Sequence, residues 1–322
     1  MNKLEEYFSE LTPLYCIHNT QKNIYNLYCN SDLTINKTST YAKSQSFINF
    51  LDQGKNYIKH SSLSDISIKP ILSYYGLVQL IKACVLLVDP EYPENTSVLA
   101  HGLTSRKRKK QDFEFLSDEI KLQKNGLFVH CCKKMFHVEH FYEEKFSMLS
   151  LIVRIPELNT FFETTKGVKY LEKVLIKNDS IYINNTVLDE LNITVDTFTG
   201  KFIENKIVSA KQFKDFFVIK GYYNDRTEIN KFKPFHFNIN NGSYYCINNR
   251  HISNYIPEIL AHYIILYNLS MICRYETDWW MEMLKDNTSL EYNSIKLYLE
   301  NCNDKICFLI KEYILDEIQK VK

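Results

Sequence analysis

The 322-residue sequence contains little glycine and proline, with 8 and 7 residues respectively. Collagen-like, linker-like and disordered chains are rich in these residues, so their scarcity excludes those classes. The sequence also has almost no net charge, because 39 basic residues balance 38 acidic ones to leave +1. Any contact with nucleic acid must therefore come from a local basic patch. With 45% apolar residues, a chain of this length can bury a substantial core.

No signal peptide is predicted, because MNKLEEYFSELTPLYC has no basic segment leading into an apolar stretch. Its nine cysteines are an odd number without regular spacing, which favours reduced thiols over a disulfide framework. The apolar stretches 71–88 and 255–275 contain polar side chains and are typical of buried helices. In the first of them, Lys82 either extends its amine to the surface or lies in a cleft with a lowered pKa. These features predict a cytoplasmic protein without a membrane span.

The distribution of apolar residues predicts an α+β fold in three parts. Residues 1–172 are expected to be mainly helical, with an irregular basic loop over 89–112 and a hairpin near 119–131. Residues 173–249 place β-branched and aromatic residues between turn formers, which predicts a small antiparallel β region. Residues 250–322 are expected to be helical and to pack on the first part.

Local signals give the expected bounds of individual elements. Asn125-Gly126 supplies the positive φ angles of a tight reversal, and it lies between the strand-forming stretches EIKLQ and LFVHC. Thr277 is a good N-cap for a C-terminal helix. Two further helices are expected over 289–301 and 304–321.

The run Arg106-Lys107-Arg108-Lys109-Lys110 is the strongest charge feature of the sequence. Five adjacent cations repel one another and require solvent, carboxylates or phosphates around them. Just before the run, His101, Gly102 and Ser105 supply an imidazole, a flexible backbone and a hydroxyl, which are groups that a phosphate site uses. A solvated charged loop is the alternative interpretation, because no glycine-rich phosphate-binding pattern accompanies the run.

One face of a predicted C-terminal helix carries three hydroxyl side chains and a guanidinium, those of Tyr263, Tyr267, Ser270 and Arg274. Trp279 follows directly. An arginine beside aromatic rings can hold a base or a phosphate. Alternatively, Arg274 stabilises the helix end and the tryptophan packs one helix on the next. No Ser–His–Asp or Cys–His arrangement and no pair of carboxylates stands out, so no catalytic residues are predicted.

The stretch His130-Cys131-Cys132, with His137 and His140, contains the residue types of a metal site. Zinc sites usually combine a Cys-x2-4-Cys pair with a second, separate ligand pair. Here the cysteines are adjacent, and neighbouring residues of a strand point to opposite faces. We therefore predict neither a metal nor another cofactor.

Several blocks of the sequence resemble the YaaC-like family of Firmicutes. They are TSVLAHG at 96–102, SRKRKK at 105–110, DEIK at 118–121, QKNGLF at 123–128, NLSM at 268–271, RYE at 274–276 and WW at 279–280. The resemblance covers essentially the whole chain and implies a cytosolic protein. It also implies a link to purine nucleotide metabolism, because the family's gene commonly lies near that of IMP dehydrogenase. The helical parts are similar to HEPN-type proteins as well, although the Arg and His that HEPN-type RNases space along one helix are missing.

These observations lead to three functional hypotheses. The first is a non-catalytic regulatory protein that binds a partner protein through the 106–110 run, with IMP dehydrogenase as the first candidate. The second is a nucleotide or RNA-phosphate binding module in which residues 101–110 hold phosphate and Arg274 or Trp279 stacks a base. The third is a HEPN-like nuclease with a non-standard site.

Overall fold

A computed structural model describes residues 3–29, 37–105, 113–138, 145–178, 180–202, 207–221, 235–253 and 256–320. The chain forms two compact units, and we call them the helical unit (1–147 with 259–322) and the sheet unit (148–258). The first and last parts of the sequence thus pack together, and antiparallel strands lie in the part between them. This arrangement confirms the predicted α+β fold.

The N-terminal part of the helical unit contains α1 (Lys3–Glu10), α2 (Ile17–Cys29), α3 (Lys37–Leu63), α4 (Lys69–Val88) and α5 (Leu127–Phe136). Of these, α4 is apolar on almost all sides and central, and a Cβ on its Gly76 would lie 2.7 Å from the Ile58 side chain of α3. In the described ranges α4 alone is long and apolar enough to cross a membrane, and 67% of its apolar window is buried within the protein. It is therefore the predicted core helix.

A three-stranded antiparallel sheet in the order β1-β2-β3 accompanies these helices, with β1 at Leu103–Ser105, β2 at Glu119–Leu122 and β3 at Lys145–Ser147. The hairpin predicted near 119–131 is wrong, because β2 pairs with β1 and β3 and the stretch LFVHC begins α5. Leu127, Phe128, Cys131 and Cys132 are buried at helical spacing. Gly126 ends the preceding turn and starts this helix rather than reversing a strand.

The sheet unit contains α6 (Met148–Ile152), α7 (Asn159–Lys166), α8 (Thr186–Leu191) and α9 (Val195–Phe202). Its strands are β4 (Leu171–Lys177), β5 (Ser180–Asn184), β6 (Ile207–Gln212), β7 (Phe216–Gly221), β8 (Phe235–Asn238) and β9 (Ser243–Ile247), in the antiparallel order β6-β7-β5-β4-β9-β8. The unit begins earlier than the predicted residue 173 because the segment before β4 is hydrogen-bonded to the sheet. Asn238 Nδ2 donates to Pro156 O (2.8 Å), and Ile239 N donates to Glu157 Oε1 (2.8 Å).

The C-terminal part of the chain forms α10 (Glu258–Tyr275), α11 (Thr277–Lys285) and α12 (Leu290–Gln319). The two helices expected over 289–321 are a single helix, so the predicted break near residue 302 is wrong. Asn303 stays helical because its amide is used in the core, where Nδ2 donates to Ser61 Oγ (3.0 Å) and Oδ1 accepts from Ser73 Oγ (2.8 Å). Thr277 is the first residue of α11 rather than its N-cap, which is Glu276.

Candidate functional site

Two glycines of the helical unit bring the segment before β1 against the start of α5. Gly102 and Gly126 have φ angles of +80° and +129°. A Cβ on Gly126 would overlap the Cα and N of Gly102 and lie 2.9 Å from Ala100 O, so glycine is required there. The Leu127 amide donates to Ala100 O (2.7 Å). This close approach of two backbones fixes the position of His101.

Tyrosines from α4 and α10 surround His101. Tyr74 OH lies 2.8 Å from His101 Nδ1, and the two ring centroids are 5.3 Å apart. Tyr263 OH donates to His101 O (3.1 Å), and Tyr267 OH donates to Leu103 O (3.0 Å). The Tyr74 ring also packs edge-on against the rings of Tyr263 and Tyr267. The imidazole is thus held through Nδ1, while in the described part of the chain no group hydrogen-bonds to its Nε2.

Arg274 lies near the end of α10, with its guanidinium between two aromatic rings. Its Cζ is 6.0 Å from the Tyr75 ring centroid and 5.1 Å from that of Tyr275, whose side chain is 67% exposed. Nε donates to Ser270 O (3.0 Å), and Nη1 is 3.4 Å from Tyr75 OH. These contacts orient the guanidinium and leave it part-exposed. It can therefore still donate to a planar or tetrahedral anion.

A second cation comes from α4, where Lys82 is half-buried. Its Nζ lies 5.5 Å from the Phe50 ring centroid. Tyr75, Gln79 and Lys82 follow one another at i, i+4 and i+7, so they share one face of the helix. Gln79 Oε1 is buried and accepts no hydrogen bond in the described ranges. This face of α4 therefore carries the positively charged amine of Lys82 and, next to it, the Gln79 oxygen, which accepts no hydrogen bond from the described residues.

Arg274 and Lys82 both affect the pKa of His101. Burial lowers the pKa of His101, and the charges of Arg274 and Lys82 lower it further. The imidazole is therefore neutral at pH 7. Burial also lowers the pKa of Lys82, and it raises the pKa of Tyr74, which stays protonated. At neutral pH the cluster consequently holds two cations beside a neutral imidazole, without a compensating phenolate.

Neither cation has an acidic partner among the residues that the structure describes. The ion pairs of the helical unit lie elsewhere, for example between Lys134 and Asp89 at 3.2 Å. Burying a charge without a partner costs free energy, because water is lost and nothing replaces it. We call His101, Ser105, Arg274, Lys82 and the tyrosines around them the His101–Arg274 cluster. Its chemistry suits an anion.

Comparison with known proteins shows the family of the sequence. A family model described as YaaC-like Protein matches residues 12–314. The chain belongs to the YaaC-like family. No curated protein and no solved structure matches it. The blocks that carried the YaaC-like resemblance include TSVLAHG and NLSM at 96–102 and 268–271, so the segments that hold His101 and the α10 face lie inside the matched range.

The structure brings together several site residues of this YaaC-like chain that the sequence had suggested separately. His101, Gly102 and Ser105 lie with Arg274, although 162 positions separate His101 from Tyr263 of α10. Burial raises the pKa of Tyr267, while Arg274 and hydrogen bonds with Ser105 act to lower it, so Ser105 contacts the same cluster. The cations predicted as the main contact surface, at 106–110, lie outside the described residues.

Trp279 is half-buried on α11, and a stacking role for its ring stays a prediction. Its ring meets the Phe113 ring edge-on, with centroids 4.8 Å apart. Trp280 is buried, and its Nε1 donates to Ser67 O (2.9 Å). The tryptophans therefore pack structural elements together, which is the alternative interpretation of the sequence. Phe113 and Ser105 flank the basic run, and both are anchored to the C-terminal helices.

The histidine and cysteine residues considered as metal ligands have other contacts. His130 Nε2 lies 2.7 Å from Asp89 Oδ2, and Cys131 and Cys132 are buried on α5. The argument from strand alternation is wrong, because this stretch is helical. Across the described ranges, no group of three or more His, Cys, Asp or Glu residues is arranged to hold a metal ion. His140 lies outside those ranges.

Sequence reasoning missed the contribution of α4 to the cluster. Tyr74 and Tyr75 were treated as part of an apolar helix, and for Lys82 a surface position and a cleft with a lowered pKa were both left open. The available signal was the polar groups of Tyr75, Gln79 and Lys82, which repeat along one face of α4. A helix that is buried on all sides is apolar all round, so a polar stripe indicates a face with another role. Only the fold places that stripe beside His101.

Proposed function

We propose that this YaaC-like protein binds a nucleotide at the His101–Arg274 cluster, in the cytoplasm. The observation that carries the proposal is the pair of part-buried cations, Arg274 and Lys82, without a carboxylate partner in the described ranges. The neutral imidazole of His101, whose pKa both charges lower, cannot act as their counter-ion. A phosphate group supplies the missing negative charge, and it accepts hydrogen bonds from the guanidinium and from the imidazole Nε2–H when Nδ1 accepts from Tyr74.

The surroundings favour a nucleotide over inorganic phosphate. Tyr275 is largely exposed and flanks the Arg274 guanidinium, so the pair offers a surface on which a base can stack. Gln79 Oε1 is a buried acceptor without a donor, and a base or a ribose hydroxyl carries donors that phosphate lacks. The ligand thus needs negative oxygens, a ring and hydrogen-bond donors in one molecule.

Two parts of the sequence-based interpretation remain predictions. One is that the cations at 106–110, which follow Ser105 in the chain, add to phosphate binding. The other is the regulatory role with a partner protein, for which IMP dehydrogenase is the first candidate. HEPN-like nuclease activity is likewise a prediction only, and the cluster supports binding rather than a reaction.

A thermal-shift and calorimetric screen tests the nucleotide proposal. The probes are the mono-, di- and triphosphates of adenosine and guanosine, with the nucleosides and inorganic phosphate as comparisons. A nucleotide at a hundredfold excess over its Kd should stabilise the protein by about 2.7 kcal/mol. The nucleosides should not, because they lack the phosphate. A screen in which no nucleotide raises the melting temperature above the inorganic phosphate value contradicts the proposal.

Two variants with matched controls assign the binding to the cluster. Arg274→Met should weaken nucleotide binding about 10- to 100-fold, since hydrogen bonds to charged groups contribute about 1.5–3 kcal/mol. Lys82→Met should also weaken binding while leaving the melting temperature of the free protein unchanged or higher, because it removes a poorly solvated charge. The exposed Arg250 and Lys285 serve as controls, and their substitution by Met should leave binding unchanged. Equal losses in all four variants would exclude the cluster as the site.

A further inference from the structure

The sheet of the sheet unit has two very different faces. One face is buried, with Phe217 and Ile219 fully covered and the Phe198 ring of α9 lying 5.2 Å from that of Phe217. The opposite face includes a row of directly paired residues across four strands, namely Lys211, Val218, Tyr182 and Leu175. Paired residues of neighbouring strands point to the same side of a sheet. We call this side the Tyr182 face.

Three aromatic rings adjoin one another in a strip on the Tyr182 face, and two of them are exposed. The rings of Tyr182 and Phe216 are 5.8 Å apart, and those of Phe216 and Phe213 are stacked at 5.1 Å with an interplanar angle of 27°. Phe213 is 44% exposed and Phe216 is 37% exposed, and Leu175 at 49% extends the strip. Large apolar side chains that cluster on a surface mark an interaction site more often than scattered ones do.

Lysines lie beside this strip. The row next to Tyr182 pairs Lys177 with Ser180, Ser180 with Lys220, and Lys220 with Ser209. Lys211 Nζ lies 5.5 Å from the Phe213 ring centroid. These lysines form no ion pair with any described residue, and the positions of β4 to β7 on this face carry no carboxylate. The face therefore carries aromatic rings with positively charged side chains beside them.

We propose that the Tyr182 face binds single-stranded RNA. Bases stack on exposed aromatic rings, and lysines beside the rings neutralise the phosphates that connect successive bases. Ser209 and Asn184 place a hydroxyl and an amide on the same face, where they can meet the ribose 2′-hydroxyl that distinguishes RNA from DNA. The nucleotide proposal concerns the other unit, and neither proposal rests on the other.

The charge of the face decides between RNA and a second copy of the chain. A two-fold symmetric dimer would place the same patch on both subunits. The lysines of one Tyr182 face would then oppose those of the other, without carboxylates to compensate them. A polyanion removes that repulsion and, by releasing counterions, gains affinity from every phosphate contact.

Fluorescence anisotropy with the full chain and a labelled oligouridylate tests the proposal. An RNA of about 12 nucleotides covers the roughly 4–16 nucleotide footprint of comparable sites. Phe213→Ala with Phe216→Ala should weaken binding about tenfold for each ring removed. Lys211→Glu with Lys220→Glu should reduce the slope of log K against log salt by about 1.4, because each phosphate contact on a single strand contributes about 0.7.

Controls make the result specific to the face. Lys166→Glu changes an exposed lysine at the end of α7, and Tyr41→Ala removes an exposed ring of α3, so both should bind RNA as the unmodified protein does. Circular dichroism checks the fold of each variant, and the lysine pair gives the answer if the phenylalanine pair does not fold. The proposal is overturned if RNA does not bind, if both pairs bind as tightly as the controls, or if DNA of the same length binds as well as RNA. Dimerisation that the phenylalanine pair abolishes, or binding to anionic phospholipid vesicles in place of RNA, would also overturn it.

Discussion

Replacing Gly126 by alanine should unfold the helical unit at markedly lower urea concentration. Gly126 has φ +129° and ψ 172°, a region that only glycine adopts readily, and an alanine there costs about 1–3 kcal/mol in backbone strain. Its Cβ would also overlap the backbone of Gly102, and such overpacking costs about 1–3 kcal/mol. The free energy of unfolding should therefore fall by about 2–6 kcal/mol.

Tryptophan fluorescence during urea titration measures this change selectively. Both tryptophans of the chain, Trp279 and Trp280, lie in α11 of the helical unit, so their signal reports the unit that contains Gly126. With an m value of about 3 kcal/mol per molar urea, at the upper end of the range for small proteins, the midpoint should fall by about 0.7–2 M. Nucleotide binding should weaken as well, because the contact between the two glycines positions His101.

Gly242→Ala is the control for a glycine substitution outside the unit that the tryptophans report. Gly242 has φ +67° with no atom within 4 Å of the added Cβ, and it lies in the sheet unit. This variant should leave the fluorescence transition unchanged. If Gly126→Ala unfolds at the midpoint of the unmodified protein, the close approach of the two glycines does not constrain the loop, and the structural account of the His101 position fails.

Two further substitutions test the packing of the helical unit. Burial acts to raise the pKa of Asp89, but hydrogen bonds from His130 and Lys134 outweigh it and hold the pKa below its ordinary value. The stability that this depressed pKa provides is present above the unfolded value of about 3.9 and is lost as the pH falls through the folded value. Asp89→Asn should lower the free energy of unfolding at pH 7 by about 3–5 kcal/mol. The free energy of unfolding should also decrease less steeply as the pH is lowered, which urea titrations at several pH values measure. A decrease as steep as in the unmodified protein would contradict the assignment. Ser289→Ala should cost about 1 kcal/mol in the same titration at pH 7, because Ser289 Oγ accepts from Tyr292 N at the start of α12, and an unchanged midpoint would exclude this cap.

The elements with the strongest apolar patterns were predictable from the sequence. The continuous apolar run gave α4 within two residues of its start, and the stretches KVLIK, SIYIN and FFVIK lie in β4, β5 and β7. These patterns reflect burial, which can be inferred from the residues of one segment without knowing what packs against it. The sequence could not reveal that 148–166 belongs with the strands, since that depends on hydrogen bonds such as the one from Asn238 to Pro156 O.

The wrong predictions of a hairpin and of a helix break have a common physical origin. In both cases a residue typical of a turn or a break makes a tertiary contact instead. Asn125-Gly126 has the composition of a reversal, yet the glycine serves a close approach to Gly102 that lies far away in sequence. Asn303 has the composition of a helix break, yet serines of two other helices satisfy its amide. For the same reason the site was only half predictable. His101, Ser105 and Arg274 carried local signals, whereas the role of Lys82 emerged only from its position beside them.

The helical unit is assembled from two stretches of chain that the sheet unit separates, and this has a consequence during synthesis. Residues 148–258 are continuous, so the ribosome can release them as a segment able to fold at once. Residues 1–147 must wait for their partner helices. Tyr263, Tyr267 and Arg274 emerge after all of the strands, so a nascent chain cannot complete the His101–Arg274 cluster until translation has passed α10. Until then, the Tyr74 ring of α4 lacks the rings of Tyr263 and Tyr267 against which it packs in the complete protein.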